Sequence, residues 1–355
     1  MMRTMAASKR FEVGVFTFGD HGTDPVHGTR LSPAQRMRHI VEEAVVAEQA
    51  GLDVFGLGEH HRSDFLVSAP EVILAAIAER TERLRLTSAV TVLSSDDPIR
   101  VFQRFATLDL LSGGRAEVLV GRGSFIESFP LFGYELRDYE RLFEEKLDLL
   151  LRLRTSTAVH WSGTTRAPLT GQEVHPRPLQ QPLPVWVGVG GSPESAERAG
   201  RLGLPMALAI IGGLPERFVP FAQHYRTALQ LAGHEVDAVP LAVTGHAFVA
   251  RKARAAADIA FPPYAQVMSQ IGRERGWPPM TREQFEAMRA PRGSLFVGDP
   301  EQVAEKLVRH VRLFGHQRAL FQVGLGPLPH ADVLRAIELL GTEVVPLARR
   351  ELGWG

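Results

Sequence analysis

Eight short apolar segments alternate with helical segments along the chain, and this alternation restricts the fold more than any other feature of the sequence. Alternating or continuous apolar runs predict strands, whereas apolar residues spaced three to four apart predict helices. The predicted strands cover residues 11–18, 53–58, 84–93, 117–120, 185–189, 206–211, 240–249 and 320–324. Because helical segments separate these strands, the pattern favours a (β/α)8 TIM barrel over an open doubly wound sheet.

The chain has 355 residues, and residues 1–355 are predicted to form one barrel domain. The segment 162–184 contains Pro and Gly and could hold a short hairpin, but it lacks a clear period and is interpreted as a loop. The connection between the seventh and eighth strands is too long for a simple crossover, and it contains Phe261-Pro262-Pro263-Tyr264 and Gly276-Trp277-Pro278-Pro279. We interpret residues 256–299 as an insertion beside the active face, with a composition that fits a mobile lid.

Composition narrows the classes of ligand. Lys and Arg total 40 and Asp and Glu total 40, so the charge balance favours a small-molecule ligand and argues against nucleic acid or an acidic membrane. The absence of cysteine excludes disulfides, thiolate nucleophiles, Fe–S clusters and Cys-ligated zinc. The sequence shows neither a signal-peptide core nor an apolar run of membrane-spanning length, so a cytoplasmic location is expected.

Four polar clusters each follow a predicted strand. In a barrel of parallel strands, the segments after the strands all lie on one face, where active sites are built. These clusters are therefore expected to meet in space. They are Glu59-His60-His61-Arg62, Ser94-Ser95-Asp96-Asp97, Gly121-Arg122-Gly123 and Gly190-Gly191-Ser192-Pro193-Glu194-Ser195.

The cluster after the fifth strand has the features of an anion site. Ser192 is a good N-cap, and Gly191 lets a ligand approach the backbone at the start of a helix, where free N–H groups bind phosphate. The Ser195 hydroxyl adds a donor, and Arg122 offers a planar fork that matches phosphate. The alternative is an ordinary capped helix, together with an Arg122 that pairs with a carboxylate such as Glu127.

The adjacent histidines after the second strand have different expected orientations. Side chains alternate along a strand, so one of His60 and His61 faces inward, and the pair is not expected to chelate one metal. A single inward histidine, oriented by Glu59, is suited to general base catalysis or hydrogen bonding. A structural histidine is the alternative. Zinc hydrolase chemistry also stays open, although no convincing set of metal ligands is found.

In this order and spacing, the motifs resemble those of the bacterial luciferase-like flavin-dependent monooxygenases, over residues 11 to about 340. The motifs that carry the resemblance are Gly51-Leu52-Asp53, Gly58-Glu59-His60-His61, Leu86-Thr87-Ser88-Ala89-Val90, Asp97-Pro98-Ile99-Arg100, Asp109-Leu110-Leu111-Ser112-Gly113-Gly114-Arg115, Gly121-Arg122-Gly123 and Gly203-Leu204-Pro205-Met206. Two departures argue against light emission. Gly121 stands where true luciferases place a cysteine, and residues 94–97 lack the histidine of light-emitting members.

The resemblance implies a barrel that binds reduced FMN at its carboxyl face and uses O2 to oxidise a small organic substrate. It assigns to His60 either proton transfer or stabilisation of the flavin intermediate. It assigns cofactor binding to Ala89 and Val90, at a third-strand bulge that is often a non-prolyl cis peptide, to Gly121 beside the flavin, and to the phosphate segment Arg122, Gly191, Ser192 and Ser195. It also implies a homodimer through residues 70–79 and 99–111, with Phe102 and Phe105 expected at the interface.

Three functions remain open from the sequence. The first is an FMN-dependent monooxygenase that receives reduced flavin from a separate reductase, since the chain lacks a GxGxxG motif after a strand for a nicotinamide site of its own. The second is an oxidoreductase that transfers hydride with the deazaflavin F420 and without O2. The third is a non-catalytic flavin-binding protein. No residue identifies the substrate.

Overall fold

Eight parallel strands close into a barrel in a computed structural model that describes residues 11–123 and 125–354. The strands are β1 Glu12–Thr17, β2 Val54–Leu57, β3 Arg85–Ser88, β4 Thr91–Val92, β5 Ala116–Gly121, β6 Ala158–Trp161, β7 Leu169–Glu173, β8 Val185–Val189, β9 Met206–Ala209, β10 Leu241–Val249, β11 Phe296–Gly298 and β12 Arg318–Val323. Around the barrel the order is β1-β2-β3-β5-β8-β9-β10-β12, and β12 pairs with β1 to close it. The predicted (β/α)8 TIM barrel is confirmed.

Helices surround the barrel and bury their apolar faces against the outward side chains of the strands. They are α1 Pro33–Gln49, α2 Pro70–Ala78, α3 Pro98–Leu111, α4 Ser128–Phe132, α5 Tyr139–Thr155, α6 Pro193–Arg201, α7 Val219–Leu231, α8 Ala253–Arg275, α9 Arg282–Arg289, α10 Pro300–Phe314, α11 His330–Leu339 and α12 Val345–Leu352. None of those in the described part of the chain is both long and apolar enough to span a membrane.

Several helices begin with the same two-residue signal. A Ser or Asp side chain accepts a hydrogen bond from the first turn, and a proline occupies the first helical position. These starts place helix N-termini at the carboxyl ends of the strands. The pairs are Ser32-Pro33, Asp97-Pro98, Ser192-Pro193 and Asp299-Pro300.

The inside of the barrel changes from large charged side chains at its amino-terminal end to small residues at its carboxyl end. Near the base, Arg318 donates to the buried Glu117 on the opposite side of the barrel at 2.6 Å, and its guanidinium lies 4.2 Å from the Trp186 ring centroid. Toward the carboxyl end the inward positions include Gly58 and Gly188. The barrel is therefore plugged at its base by charged side chains, and small residues line its interior toward the carboxyl end.

The segment that follows α5 departs from the prediction. Residues 162–184 were expected to be a loop, but β6 and β7 form an antiparallel hairpin whose register shifts between Val159 and His160. Most side chains of β7 are exposed or half-buried, so this strand carries little of the apolar alternation that identifies strands in a sequence.

The region 256–299 is built of two helices and a strand. Pro262 and Pro263 lie inside α8, although proline in the interior of a helix is unfavourable. The helix is stabilised because it packs a face that includes Ala256, Ala260 and Tyr264 against the core. The strand β11 pairs with the carboxyl end of β10. The function of this region as a lid remains a prediction.

The prediction that Phe102 and Phe105 lie at a dimer interface is wrong. Both side chains are completely buried inside the subunit, since they lie on the face of α3 that packs against the barrel. The apolar side chains that α2 and α3 do expose are Val72, Leu110 and Leu111. The homodimer itself stays a prediction.

Candidate active site

His60 lies in an aromatic box at the carboxyl end of β2. Its ring centroid is 4.6 Å from that of Phe18, 4.7 Å from that of Phe65 and 5.0 Å from that of Phe125. The side chain is 8% exposed, and its Nδ1 lies 3.3 Å from Oε1 of Glu127. With a proton on Nδ1, the imidazole donates to this carboxylate, which leaves the lone pair on Nε2.

Glu127 is held as a carboxylate by this contact. Burial acts to raise the pKa of Glu127, but the hydrogen bond from His60 is the main opposing interaction, and the pKa is lowered overall. A carboxylate that fixes one imidazole nitrogen orients the other, which is the arrangement of general acid–base histidines. From the sequence, Glu59 was predicted to orient the active-site histidine. Glu127 contacts His60 instead.

Glu59 serves the neighbouring histidine and the backbone. Its Oε1 is 2.8 Å from Nε2 of His61, and its Oε2 accepts a hydrogen bond from the backbone N–H of Val92 at 2.9 Å. The hydrogen bond that His61 donates to Glu59 is the largest of the effects that raise the pKa of His61. The two histidines therefore have different partners, although both follow the end of β2 and both side chains are largely buried.

The segment between β3 and β4 forms one wall beside His60. The Ala89–Val90 peptide bond is cis. The backbone N–H of Glu59 donates to the Val90 carbonyl oxygen at 3.0 Å, which joins this segment to the end of β2. Val90 also packs against Gly121 and Gly188, where an added Cβ would approach its side chain to 2.8 and 3.0 Å. Only glycine keeps this wall flat at those positions.

Arg122 leaves the end of β5 and turns toward α5. It is ion-paired with Glu140, and its guanidinium lies 5.0 Å from the ring centroid of Tyr139. The Tyr139 hydroxyl donates to the Gly123 carbonyl oxygen at 2.7 Å. The predicted alternative partner, Glu127, is instead the partner of His60.

The start of α6 presents an open backbone. Ser192 caps the helix by accepting from the Ser195 backbone N–H, and the Ser195 hydroxyl lies 3.3 Å from the Ser192 hydroxyl oxygen. Gly191 has a φ of 141°, and an added Cβ at Gly190 or Gly191 would meet no atom within 4 Å. This space beside a helix N-terminus fits an anionic group.

Arg198 is a buried cation near the start of α6 that no motif in the sequence pointed to. It is 7% exposed, and it donates to Glu140 at 3.1 Å and pairs with Glu144 at 2.9 Å. Its Nε and Nη1 are buried without a hydrogen-bond partner. The available signal was spacing, since Arg198 follows Ser195 by three residues and residues three apart share a helix face.

The structure therefore brings the predicted residues into two adjoining groups. His60, Ala89, Val90 and Gly121 surround the carboxyl mouth of the barrel, while Arg122, Gly191, Ser192 and Ser195 lie around the start of α6. Glycines at the barrel mouth pack against Phe18 and Val90, and two guanidinium groups lie near the start of α6. The residues present fit a flavin with a terminal phosphate.

A separate cavity of about 350 Å³ lies between the β1–α1 and β12–α11 loops. It is lined by Asp20, Arg36, His39 and His330 among others, and by none of the predicted site residues. Burial raises the pKa of Asp20. Within residues 11–123 and 125–354, no group of three or more His, Asp or Glu side chains is arranged to hold a metal ion.

Residues 11–317 match the sequence model of the luciferase-like monooxygenases. Because this match covers most of the chain, the protein belongs to the luciferase-like monooxygenase family. The resemblance drawn from the motifs is confirmed.

Relatives of this chain have names that denote different reactions. The N-acetyl-S-alkylcysteine monooxygenase of Bacillus subtilis is 28% identical over 297 residues, which cover 79% of this chain and 85% of that protein. The F420-dependent glucose-6-phosphate dehydrogenase of Amycolatopsis mediterranei is 34% identical over 177 residues, 47% of this chain and about half (51%) of that protein. The named relatives are oxidoreductases, and they include a monooxygenase and an F420-dependent dehydrogenase.

A solved structure shares the fold. The oxygenating constituent of 3,6-diketocamphane monooxygenase from Pseudomonas putida, in complex with FMN, superposes with a TM-score of 0.76 at 18% identity. The similarity covers 95% of this chain and 98% of that one.

Proposed function

We propose that this protein is an FMN-dependent monooxygenase that uses reduced FMN and O2 to oxidise a small organic substrate. The observation that carries the proposal is the arrangement of Arg122 and Arg198 beside the open start of α6, next to a barrel mouth floored by small residues and flanked by His60. The FMN-bound structure with the same fold supports it.

In this proposal each group of residues has a distinct role. Arg122, Ser192, Ser195 and the backbone at Gly191 bind the phosphate, and the flat wall at Ala89, Val90 and Gly121 receives the ring. Reduced flavin supplies the electrons that activate O2. The aromatic box excludes water around His60, and Nε2 of His60 holds or transfers a proton at the reacting centre, because Glu127 fixes its orientation.

The reduced cofactor is proposed to come from a separate flavin reductase. The chain contains no GxGxxG fingerprint for a nicotinamide site, and the FMN-bound structural neighbour is itself the oxygenating constituent of its monooxygenase.

F420-dependent hydride transfer is the second candidate. It is supported by the 34% identity to the F420-dependent dehydrogenase over half of that protein. Arg122 and Ser192 suit a phosphate group of either cofactor, so the phosphate site does not discriminate between them.

The test is a titration of the purified protein with FMN and with F420, followed by visible absorbance. For FMN binding, Arg122→Ala and Ser192→Ala are expected to weaken affinity by about 10-fold or more, since each removes a donor to a charged group. Arg292→Ala, at an exposed ion pair with Glu216, is the matched control. Preference for F420 would transfer the chemistry to the second candidate, and binding of neither cofactor would reject both.

The proposed role of His60 is tested separately. His60→Gln is expected to reduce O2-dependent turnover by about 10²-fold or more, because a general acid–base group contributes that much, while the dissociation constant for FMN stays unchanged. His175→Gln, at an exposed histidine paired with Glu173, is the control. Equal losses in both variants, or a loss of flavin binding that explains the lower turnover, would count against the assignment.

A further inference from the structure

Two carboxylates occupy the part of the site that is proposed to receive the cofactor phosphate. Glu140 lies between the two guanidinium groups, with Oε1 paired to Arg122 and Oε2 accepting from Arg198 at 3.1 Å. Glu194 lies at the start of α6, where its Oε2 accepts from the Ser192 hydroxyl at 2.8 Å. Arg122, Arg198 and the Ser192 hydroxyl therefore already have internal acceptors.

The contacts of Glu194 resemble those of an anion at a helix start. A hydrogen bond from its own backbone N–H is the largest effect that lowers the pKa of Glu194, followed by the bond from Ser192. The charges of Arg122 and Arg198 lower it further. Glu140 and Glu194 are thus both influenced by the positive charges of Arg122 and Arg198.

We propose that Glu140 and Glu194 are internal anions that occupy the phosphate site of the free protein and move out when the cofactor phosphate binds, so that they set the affinity for phosphorylated flavin. This inference rests on the proposed function, since it concerns the same site. Neither residue is assigned by the motifs that identify the family.

The exposure of the two side chains makes displacement feasible. The Glu140 side chain is 55% exposed, and Glu194 is fully exposed, so both reach water by rotating about their own side-chain bonds. Ion pairs at such positions are weak, whereas a phosphate offers three oxygens to the same donors. Arg198 stays in place during the exchange, because Glu144 holds it independently of Glu140.

The consequence of these internal anions is that the cofactor binds weakly and exchanges readily. Two guanidinium groups face three carboxylates, so a phosphate dianion enters a site whose positive charge is already neutralised. Removing one carboxylate charge leaves the donors in place and frees them for phosphate. The affinity for ligands without a phosphate is not expected to change when one carboxylate charge is removed.

The experiment compares dissociation constants for FMN and riboflavin by flavin fluorescence. Glu140→Gln and Glu194→Gln are each expected to tighten FMN binding by ~2- to 5-fold, the range of an exposed ion pair, and to leave riboflavin binding unchanged. The double variant is expected to gain about 10-fold, and the gain should shrink in high salt. Glu197→Gln, on the same helix but paired with His224, is the matched control.

Inorganic phosphate provides a readout that needs no flavin. At matched ionic strength, phosphate is expected to raise the Tm of Glu140→Gln more than that of the unaltered protein. An unchanged or weaker FMN-to-riboflavin preference in Glu140→Gln, with no gain in phosphate response, would overturn the inference and make Glu140 a positioning residue for Arg122. If the unaltered protein binds neither FMN nor F420, the proposed function fails, and the phosphate measurement still decides this inference.

Discussion

At the scale of single residues, the adjacent His60 and His61 perform different tasks because different carboxylates contact them. Glu127 orients His60 within the aromatic box, while Glu59 joins His61 to the backbone of Val92. The second arrangement fixes the loop that carries the first histidine. Its contribution is therefore to stability, and it depends on the charge of His61.

The His61 pair predicts a pH dependence of stability. Glu59 raises the pKa of His61 in the folded state above its unfolded value of about 6.5, so the contribution is complete below that value and is lost as pH rises through the folded pKa. Denaturant unfolding at pH 5.5 and pH 9 is the measurement. The free energy of unfolding of the unaltered protein should exceed that of His61→Gln by about 1 kcal/mol at pH 5.5 and by less at pH 9.

His175→Gln is the control, since that histidine and its partner Glu173 are exposed. It should show little difference at either pH. A gap for His61→Gln that grows with pH would contradict the assigned charge interaction.

At the scale of elements, the carboxyl end of α8 is attached to the loop that follows β2. Arg62 donates to Glu274 at 2.8 Å, and Gln270 donates to Asp64 at 2.9 Å. The Phe125 ring, which contacts His60, lies 4.8 Å from the Arg62 guanidinium and 5.6 Å from that of Arg275. We propose that residues 256–299 act as a lid over His60 and that these contacts hold it closed.

The lid proposal predicts a local change in protection. Arg62→Ala is expected to increase amide hydrogen exchange and protease cleavage in residues 266–280 by several-fold, because it removes the ion pair and one cation from the Phe125 face. Arg312→Ala is the control, since its exposed pair with Glu351 lies outside residues 256–299. FMN should slow the cleavage in the unaltered protein. Cleavage that is insensitive to both the Arg62 substitution and FMN would count against a lid.

At the scale of the whole molecule, the barrel depends on a charged network at its base. Arg318 and Glu117 are both buried and bond across the interior, with Glu12 and Arg85 as further partners. Removing one member of such a network leaves a buried charge without compensation. The base therefore stabilises the closed barrel, whereas the residues of the candidate site lie at its carboxyl end.

Arg318→Met is expected to lower the free energy of unfolding by about 3–5 kcal/mol, because Glu117 remains buried without its main partner. Arg312→Met, at an exposed pair with Glu351, should cost less than about 0.5 kcal/mol. Denaturant unfolding measures both. Replacing Arg318 and Glu117 together by Met and Leu should recover part of the loss, and a double variant as unstable as the sum of the two single variants would contradict this account.

The sequence alone determined the barrel and the position of its active face. Strand and helix periods are local properties of neighbouring residues, and the Ser-Pro and Asp-Pro starts are local hydrogen-bonding signals, so both are readable without tertiary contacts. The same signals located His60, Arg122 and the Ser192 helix start, and the motif order identified the family.

Only the tertiary structure decided which partners these residues have. Arg122 pairs with Glu140 rather than Glu127, and Phe102 and Phe105 are buried rather than at an interface. Arg198 reaches the site although no motif contains it. The physical reason is that ion-pair partners and burial depend on distances between elements far apart in the chain, and those distances are set only when the helices pack around the closed barrel.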